Sequence, residues 1–473
     1  RLHSIEFPVL KDLNHTLADA LGATRTPEVF VLDSERTIRY AGRIDDQYGI
    51  GYQRKEPKRQ DLRLALEELL AGKQVSHDLT DVVGCHIGRT HQAVTDNSVT
   101  YSKQIARILQ DRCVSCHRPG QIAPFALTSY DEVSGWAETI DEVVKERRMP
   151  PWHADPQYGH FANDARLSDE ELELISTWVA NGAPQGDPSD LPPPRQFVEG
   201  WQVPREPDRV IYMTDEPVDV PAEGEVKYRH FTVDPGFTED KWLQIAECRP
   251  GNRAVVHHIV VFLKSPEDSP RQREPNFLVG FAPGTRPLVF SEGTAKRIPA
   301  GSKLVFQMHY TPNGSPQQDR SCVGLIFADP KTITHRAFTT AAANRGFAIP
   351  PQASNHLVES SQTAPADMVL LSMFPHMHLR GKSFRYEATY PDGTTEVLLD
   401  VPRYDFGWQN HFVLAEPKRV PKGTKFRCFA HFDNSDGNPA NPDPSATVRW
   451  GDQTWEEMMI GYLDVAVPAD TTK

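Results

Sequence analysis

The hydrophobic and polar positions of this chain follow two different periods. In its first part, up to about residue 188, several segments have apolar residues at helical spacing, as in QDLRLALEELLAGK (residues 60–73) and LSDEELELISTWVANGAP (residues 167–184), and strand-like runs also occur before residue 80. From about residue 208 to 468, short β-branched and aromatic runs alternate with Pro, Gly, Asp and Asn turns, and long helical patterns are absent. The pattern predicts helices in the first part and β-sandwiches in the second.

Changes in this pattern divide the chain into four segments. Residues 1–80 combine strand-like runs with an amphipathic helix, which predicts α/β structure, and residues 97–188 predict an all-α unit. A Pro-rich linker, DPSDLPPPRQF, then leads into the β-rich part. That part is long enough for two all-β sandwiches, which we place at residues 198–345 and 346–468. The predicted fold class is therefore multidomain: α/β, then all-α, then all-β.

Charge and hydropathy exclude two kinds of partner. The formal net charge is −13 and no run rich in Lys and Arg occurs, which argues against a nucleic-acid partner. The longest apolar runs, such as AVVHHIVVFL, are too short to cross a bilayer, so we predict no membrane span.

The segment QDRCVSCHRPG contains the spacing C-x-x-C-H at Cys113, Cys116 and His117. This spacing is typical of covalent attachment of a c-type haem. A disulfide or half of a zinc site would also use two such cysteines, but His117 follows directly and no second C-x-x-C occurs. We therefore predict one covalently bound haem c.

Residues 97–188 resemble a class I cytochrome c domain over their whole length. In that family the haem iron is held by the His of the motif and by a Met, which implies His117 and Met149 here, with His153 as the alternative to Met149. A thioether ligand raises the reduction potential and closes the iron to dioxygen. Because haem c is attached outside the cytoplasm, we expect a periplasmic or otherwise exported protein. The chain begins at Arg1 without a signal-like segment, which we attribute to processing or trimming.

Residues 1–80 resemble the C-terminal half of the thioredoxin-like redoxin family. The resemblance rests on TRTPEVFVLDSERTIRYAGRIDD, in which a cis-proline, here Pro27, precedes a strand. The half of that family's fold that holds the reactive cysteines does not occur in this sequence. We therefore expect a partial redoxin-like segment without thiol chemistry.

Histidines occur within strand-like runs at three places in the β-rich part. His376 and His378 are two residues apart, so in a strand both imidazoles lie on one face and can bind one metal ion. His257 and His258 are adjacent and point to opposite faces of a regular strand; both can reach one ion only if the strand bends, bulges or ends there. The third place is His309, in the run KLVFQMHY.

Two methionines, Met458 and Met459, precede the last strand-like run. A methionine in a β-core most often serves packing. Beside an H-x-H motif it also offers a thioether, and two His with one Met favour copper, above all Cu(I), over zinc or magnesium.

From about residue 205 to 468 the chain resembles the copper type II, ascorbate-dependent monooxygenases, the family of the peptidylglycine alpha-hydroxylating and dopamine beta-monooxygenases. The motifs that carry the resemblance occur in the family's order: V-H-H, Q-x-H-Y, H-x-H-x-x-G, and E-M shortly before a Tyr. The resemblance implies two jelly-roll-like sandwiches that bind two copper ions. The first copper, which passes electrons, would be held by His257, His258 and His309. The second, which binds dioxygen beside the substrate, would be held by His376, His378 and Met458.

The chain departs from the peptide-amidating members of this family in the implied substrate pocket. Phe374 occupies the position of an Arg that pairs with the substrate carboxylate, and Ile460 occupies the position of an Asn, whereas Tyr462 is retained. A carboxylate buried without a partner is unfavourable. The resemblance therefore implies a small, neutral or apolar substrate, with Tyr462 among the catalytic-site residues.

The remaining cysteines leave the disulfide pattern open. Cys322 resembles a disulfide position of the family, with Cys248 as a candidate partner, while Cys85 and Cys428 have no implied partner.

Together these features predict an oxidoreductase. It would use dioxygen to hydroxylate a C–H bond of a small-molecule substrate, with electrons that pass from an external donor through the haem. The alternative is a copper and haem electron-transfer or copper-binding protein on the same scaffold without oxygenase activity. A zinc hydrolase is disfavoured by the thioether of Met458.

Overall fold

The structure of the chain is a computed structural model, and it describes residues 8–50, 52–54, 56–89, 98–121, 123–197, 200–224, 226–268, 276–282 and 284–469. The predicted segment boundaries at residues 97 and 198, and the first seven residues of the redoxin-like segment, lie outside this range. The chain divides into two compact units. The first comprises residues 1–114, 125–150 and 167–194, and the second comprises residues 115–124, 151–166 and 195–473.

The first unit contains short helices and short strands. The α-helices are α1 (Thr16–Leu21), α2 (Asp61–Leu70), α3 (Ala106–Arg112), α4 (Tyr130–Ser134), α5 (Ala137–Lys145) and α6 (Asp169–Ala180). The strands are β1 (Arg25–Thr26), β2 (Val29–Leu32), β3 (Ile38–Gly42), β4 (Tyr48–Gly49), β5 (Tyr52–Gln53) and β6 (Cys85–His86). A π-helix (Tyr101–Ile105) precedes α3, and 3-10 helices span Leu13–His15 and Pro188–Asp190. None of the helices in the described ranges is long and apolar enough to cross a bilayer.

Local sequence signals account for several of these elements. Helix α6 begins with a capping box, in which the Ser168 hydroxyl accepts the Glu171 N–H and the Glu171 carboxylate accepts the Ser168 N–H. Strands β2 and β3 form an antiparallel hairpin, and Tyr40 from β3 packs with Ala65 from α2 in a small core. The Thr26–Pro27 peptide bond is cis, as expected for this position.

The second unit is built from strands. Its first half contains β7 (Arg209–Tyr212), β8 (Val218–Val220), β9 (Arg229–Val233), β10 (Lys241–Arg249), β11 (Val256–Lys264), β12 (Asn276–Phe281), β13 (Leu288–Val289), β14 (Thr294–Ile298), β15 (Lys303–Tyr310), β16 (Gln317–Asp319) and β17 (Cys322–Phe327). After a 3-10 helix (Pro330–Thr332) follow β18 (His335–Ala343), β19 (Ala348–Ile349), β20 (His356–Thr363), β21 (Met368–His376), β22 (Gly381–Thr389), β23 (Thr395–Val401), β24 (Phe412–Val420), β25 (Lys425–Phe432), β26 (Val448–Arg449) and β27 (Ile460–Pro468).

One nine-stranded sheet runs through both halves of the second unit. Its order is β24-β21-β27-β18-β14-β10-β17-β7, with β13 paired to β10, and the parallel pair β14–β18 joins the two halves. Two four-stranded sheets, β12-β11-β15-β9 and β20-β25-β22-β23, each share a buried apolar core with part of it. Two sandwiches thus share one continuous sheet.

Alternation along the strands decides which side chains enter these cores. In β15, Leu304, Phe306, Met308 and Tyr310 are buried in the core of the first sandwich. His309 therefore lies on the opposite face of the strand.

The predicted fold class is wrong, because the structure is mostly β-sandwich sheets and the described residues show no all-α cytochrome c domain. The helices α1–α6 are only 5 to 12 residues long, and the helical segments share one unit with the α/β segment. Residues 151–166, which were predicted to lie in the all-α unit, belong to the β-sandwich unit, where Trp152 and Phe161 pack edge-on against Phe412. Helical periodicity shows that a face is apolar and does not show what covers it.

Candidate metal centres

His257 and His258 reach the same place because β11 is irregular at its start. Val256 pairs with Tyr310 of β15, and His258 pairs with His309, the residue adjacent to Tyr310 in the same strand. His257 is therefore one extra residue in β11. Such a bulge breaks the alternation of adjacent side chains. The candidate ligand atoms of His257, His258 and His309 all lie within 4.8 Å of one another, and the Nδ1 atoms of the two adjacent histidines are 3.5 Å apart.

Burial keeps these three imidazoles neutral, which is the state that binds a metal ion. It lowers the pKa of His257 and His258, and it lowers the pKa of His309 to about 3. The Nδ1 atom of His309 is buried and has no hydrogen-bond partner in the described part of the chain. A buried polar atom without a partner is costly unless something else satisfies it. The three histidines therefore fit a metal ion.

The second pair, His376 and His378, follows the alternation predicted for an H-x-H motif. His376 is the last residue of β21, and Met377 between the two histidines is fully buried in the core of the second sandwich. The two imidazoles therefore share the other side, with ring centroids 5.2 Å apart.

Hydrogen bonds fix which nitrogen of each imidazole is free. The Nδ1–H of His376 donates to Oε1 of Gln409 over 2.7 Å, and the Nδ1–H of His378 donates to the carbonyl oxygen of Glu456 over 3.2 Å. In both rings Nε2 remains as the acceptor, because a neutral imidazole carries one N–H. Burial lowers the pKa of both rings, that of His378 to about 3. The pair can thus offer two Nε2 atoms to one ion.

The two adjacent methionines lie in different surroundings. Met459 is fully buried in the core of the second sandwich. Met458 lines a cavity together with His376 and His378. Of the two methionines, Met458 shares the cavity lining with the histidine pair, and Met459 does not.

Glu457 holds together the two segments that carry this second set of ligands. Its carboxylate is fully buried and accepts backbone N–H groups from His378 over 2.8 Å, Arg380 over 2.6 Å and Met458 over 3.3 Å. Burial raises the pKa of Glu457 to about 8, although these hydrogen bonds oppose the shift. One side chain thereby fixes the turn after β21 against the segment before β27.

The cavity beside these residues has a volume of about 490 Å³. Residues of strands β11, β12, β21 and β27 line this cavity. Its lining includes candidate ligands, aromatic rings and a few polar groups: His258, His376, His378, Met458, Phe277, Phe281, Phe374, Tyr462, Trp450, Gln409, His411, Arg286 and Arg345. Most of the surface that lines the cavity is apolar. An apolar lining with a few polar groups is typical of small-molecule sites.

Phe374 contributes an aromatic ring to the wall of this cavity. It pairs with Tyr462 across β21 and β27, and the two rings stack with centroids 5.8 Å apart. Two other arginines of the second sandwich do not line the cavity. Arg380 is buried and donates to Asn434, and Arg385 forms an ion pair with Asp400. The cations on the cavity wall are Arg286 and Arg345.

Sequence reasoning missed three residues around these histidines. Gln409 orients His376, the ring of Tyr228 lies edge-on to His258 at 5.2 Å, and the ring of Phe406 lies 5.8 Å from both His257 and His378. All three lie outside the motifs, and a single Gln, Tyr or Phe in a turn-rich segment has no distinctive spacing.

A buried ion pair supports one wall of the cavity. Lys296 and Asp464 are each 4 % exposed, and Nζ lies 3.3 Å from Oδ1. Ser372 and Thr339, on the strands that flank β27, also donate to Asp464 over 2.9 Å and 2.5 Å. Burial alone would raise the pKa of Asp464, but the Lys296 ammonium and the hydrogen bonds from His411 and Thr339 lower it well below its usual range.

Replacing Asp464 by Asn is expected to destabilise the fold by about 3–5 kcal/mol, because it leaves the Lys296 ammonium buried without a counter-charge. The folded-state pKa of Asp464 is depressed, so its contribution is present above the unfolded value of about 3.9 and is lost as the pH falls through the folded value. Urea unfolding from pH 7 downwards measures both effects. The double variant Lys296→Met/Asp464→Asn is the control and should recover part of the loss; equal losses in both variants would contradict the assignment.

The residues predicted to hold haem are divided between the two units. Cys113 directly follows α3 and Met149 follows α5 in the first unit, whereas Cys116, His117 and His153 belong to the second. Cys113 and Cys116 of the motif are partly exposed. Two cysteine thiols followed by an imidazole are the donor set that covalent haem attachment needs. The candidate disulfide between Cys248 and Cys322 is not formed.

Comparisons with known proteins do not place the chain in a family. No family model matches it, and no curated protein matches it. Among solved structures, it is similar to that of the infectious bursal disease virus Gx strain at 10% identity, covering 59% of this chain and 76% of that one with a TM-score of 0.17. The VP2 subviral particle of infectious bursal disease virus gives 12% identity, coverage of 56% and 73%, and a TM-score of 0.18. The PBSX exported protein XepA gives 12% identity, coverage of 48% and 87%, and a TM-score of 0.15.

Proposed function

We propose that this chain is a copper-dependent monooxygenase that hydroxylates a C–H bond of a small, neutral or apolar substrate. One observation carries the proposal: His376, His378 and Met458 line the same aromatic cavity as His258 of the three-histidine cluster. Three imidazoles form one donor set, and two imidazoles with a thioether form the other. Soft and borderline donors of this kind favour copper over zinc or magnesium.

The roles of the protein residues follow from their contacts. Bound copper would supply the redox chemistry with dioxygen, which amino-acid side chains do not provide. Gln409 and the Glu456 carbonyl group hold the two imidazoles of the second set with Nε2 free. Phe374 and Tyr462 form an apolar wall that excludes water and orients an apolar substrate.

The proposal includes a covalently bound haem c at Cys113, Cys116 and His117, with Met149 as the second axial ligand and His153 as the alternative. Such a haem would carry single electrons from an external donor. A carrier within the same chain works at an effective concentration of order millimolar when the tether is short. Haem attachment at this motif also implies an exported, periplasmic-type location.

The cavity favours an enzyme over the alternative of an electron-transfer or copper-storage protein. A site that only passes electrons needs no chamber for a small molecule, whereas this chamber of about 490 Å³ lies against the candidate ligands.

Oxygen transfer can be tested directly. Copper-loaded protein is reduced and mixed with labelled dioxygen and a panel of small neutral aromatic and aliphatic compounds, with a glycine-extended peptide as the charged comparison. We expect the label in a hydroxylated neutral product and no useful turnover of the peptide, because its carboxylate would meet Phe374 in place of a cation. Absence of label from every product would favour the electron-transfer alternative. Efficient turnover of the peptide would contradict the neutral substrate class. Arg286 and Arg345 would then be the candidates for pairing with the peptide carboxylate.

A further inference from the structure

His411 is a polar group in an otherwise aromatic stretch of the cavity wall. It lines the cavity, and its ring centroid lies 6.0 Å from that of Phe374. Neither proposed metal centre uses it. It directly precedes β24, the strand that pairs with β21 at the edge of the nine-stranded sheet.

Ser372 and Asp464, which contact Nε2 of His411, fix the position of the hydrogen on the neutral ring. Nε2 lies 2.7 Å from the Ser372 hydroxyl oxygen and 3.1 Å from Oδ2 of Asp464. The Ser372 hydroxyl group donates its own hydrogen to Asp464, so its oxygen accepts from Nε2–H of His411. In its neutral form the imidazole therefore carries its hydrogen on Nε2.

The other ring nitrogen, Nδ1, is left as a hydrogen-bond acceptor. No side chain or backbone group of the described residues bonds to it, and the ring is partly exposed on the cavity wall, with 28% of the side chain accessible. The buried network of Asp464, Ser372, Thr339 and Lys296 restrains the ring from the opposite edge. The acceptor is thus held in place before a ligand arrives, which lowers the entropy lost on binding.

We propose that His411 anchors the substrate by accepting a hydrogen bond from a hydroxyl group, which makes an apolar alcohol the preferred substrate class. The proposal rests on the monooxygenase assignment in taking this cavity as the substrate site. The aromatic wall would take the hydrocarbon part of the molecule, and Nδ1 of His411 would take the hydroxyl hydrogen. An analogue with a carbonyl group in place of the alcohol has no hydrogen to donate and leaves Nδ1 unsatisfied.

The test compares 4-phenylcyclohexanol with 4-phenylcyclohexanone, which differ in whether the oxygen can donate. Binding to the full chain without added reductant is measured by calorimetry or by tryptophan fluorescence, since Trp450 lines the cavity. We expect the alcohol to bind about three- to tenfold more tightly than the ketone, the range of one net hydrogen bond.

His411→Gln should remove this preference, because the glutamine amide can replace the Nε2–H bond to Ser372 and Asp464 but offers no acceptor at the position of Nδ1. His411→Phe is the second variant and should bind alcohol and ketone equally. His431→Gln is the matched control: His431 lies in β25, bonds to Ser383 and does not line the cavity, so this variant should keep the wild-type preference.

Three outcomes would overturn the proposal: wild-type protein that does not distinguish the two compounds, wild-type protein that binds neither, or an unchanged preference in folded His411→Gln and His411→Phe. The result is independent of the labelled-oxygen experiment. A preference that disappears with His411 while no label is incorporated would reject the monooxygenase and retain the anchor. Label incorporation with an unchanged preference would retain the monooxygenase and reject the anchor.

Discussion

Replacing His376 by Ala is expected to remove one of two bound copper ions per chain and to abolish oxygen incorporation, while copper at the three-histidine cluster is retained. The reason is the donor count. Without His376, the second set keeps only one imidazole and one thioether, His378 and Met458, and Gln409 loses the side chain that it orients. Two soft or borderline donors hold copper far more weakly than three.

Metal analysis of protein matured with copper and zinc both present measures the first effect, and labelled dioxygen measures the second. His356→Ala is the matched control, because His356 begins β20 and lies outside the cavity lining, so it should keep both ions and full activity. Stoichiometric zinc without copper in the wild type would contradict the donor-softness argument. Two coppers retained in His376→Ala would remove His376 from the ligand set.

The double variant Cys113→Ser/Cys116→Ser is expected to lose all covalently bound haem. Only a thiol can form the thioether bonds of haem c, and a serine hydroxyl group cannot replace it. Absorption spectra and intact mass of protein made in a host that matures c-type cytochromes measure the result. The wild-type polypeptide should exceed its 53.2 kDa by the mass of one haem.

Cys85→Ser is the control for this experiment, because Cys85 lies outside the motif, in β6, and its loss should leave the haem in place. Met149→Ala and His153→Ala then separate the two candidates for the second axial ligand, since the spectrum changes only when the ligand itself is removed. Wild-type protein that matures without covalent haem would show that the C-x-x-C-H spacing serves another purpose here.

Patterns confined to one segment predicted local structure well. Alternation in a strand was enough to place His376 and His378 on one side, because neighbouring side chains of any strand point to opposite faces. The capping box of α6 was equally local, since Ser168 and Glu171 bond within a single turn. The helices predicted within residues 97–188 include the π-helix Tyr101–Ile105, which is followed by α3.

The prediction of a separate all-α unit failed because burial depends on distant partners. Trp152 and Phe161 lie in the segment predicted to be an all-α unit, yet they pack against Phe412, more than two hundred residues later. Their hydrophobicity indicated that they would be buried and could not indicate which core would bury them.

By itself, then, the sequence determined the residue types available to the site, the strand face shared by His376 and His378, and the short-range caps. Only the tertiary structure decided which of them meet. It introduced the bulge that brings His257 beside His258, and it placed Met458 on the cavity and Met459 in the core. It also brought Glu457 to the backbone of His378, 79 residues away, and surrounded Asp464 with Lys296, Thr339 and Ser372 from three other strands. The physical reason is that periodicity encodes the orientation of a side chain relative to its own strand, whereas ligand sets and buried ion pairs depend on how separate strands register and pack.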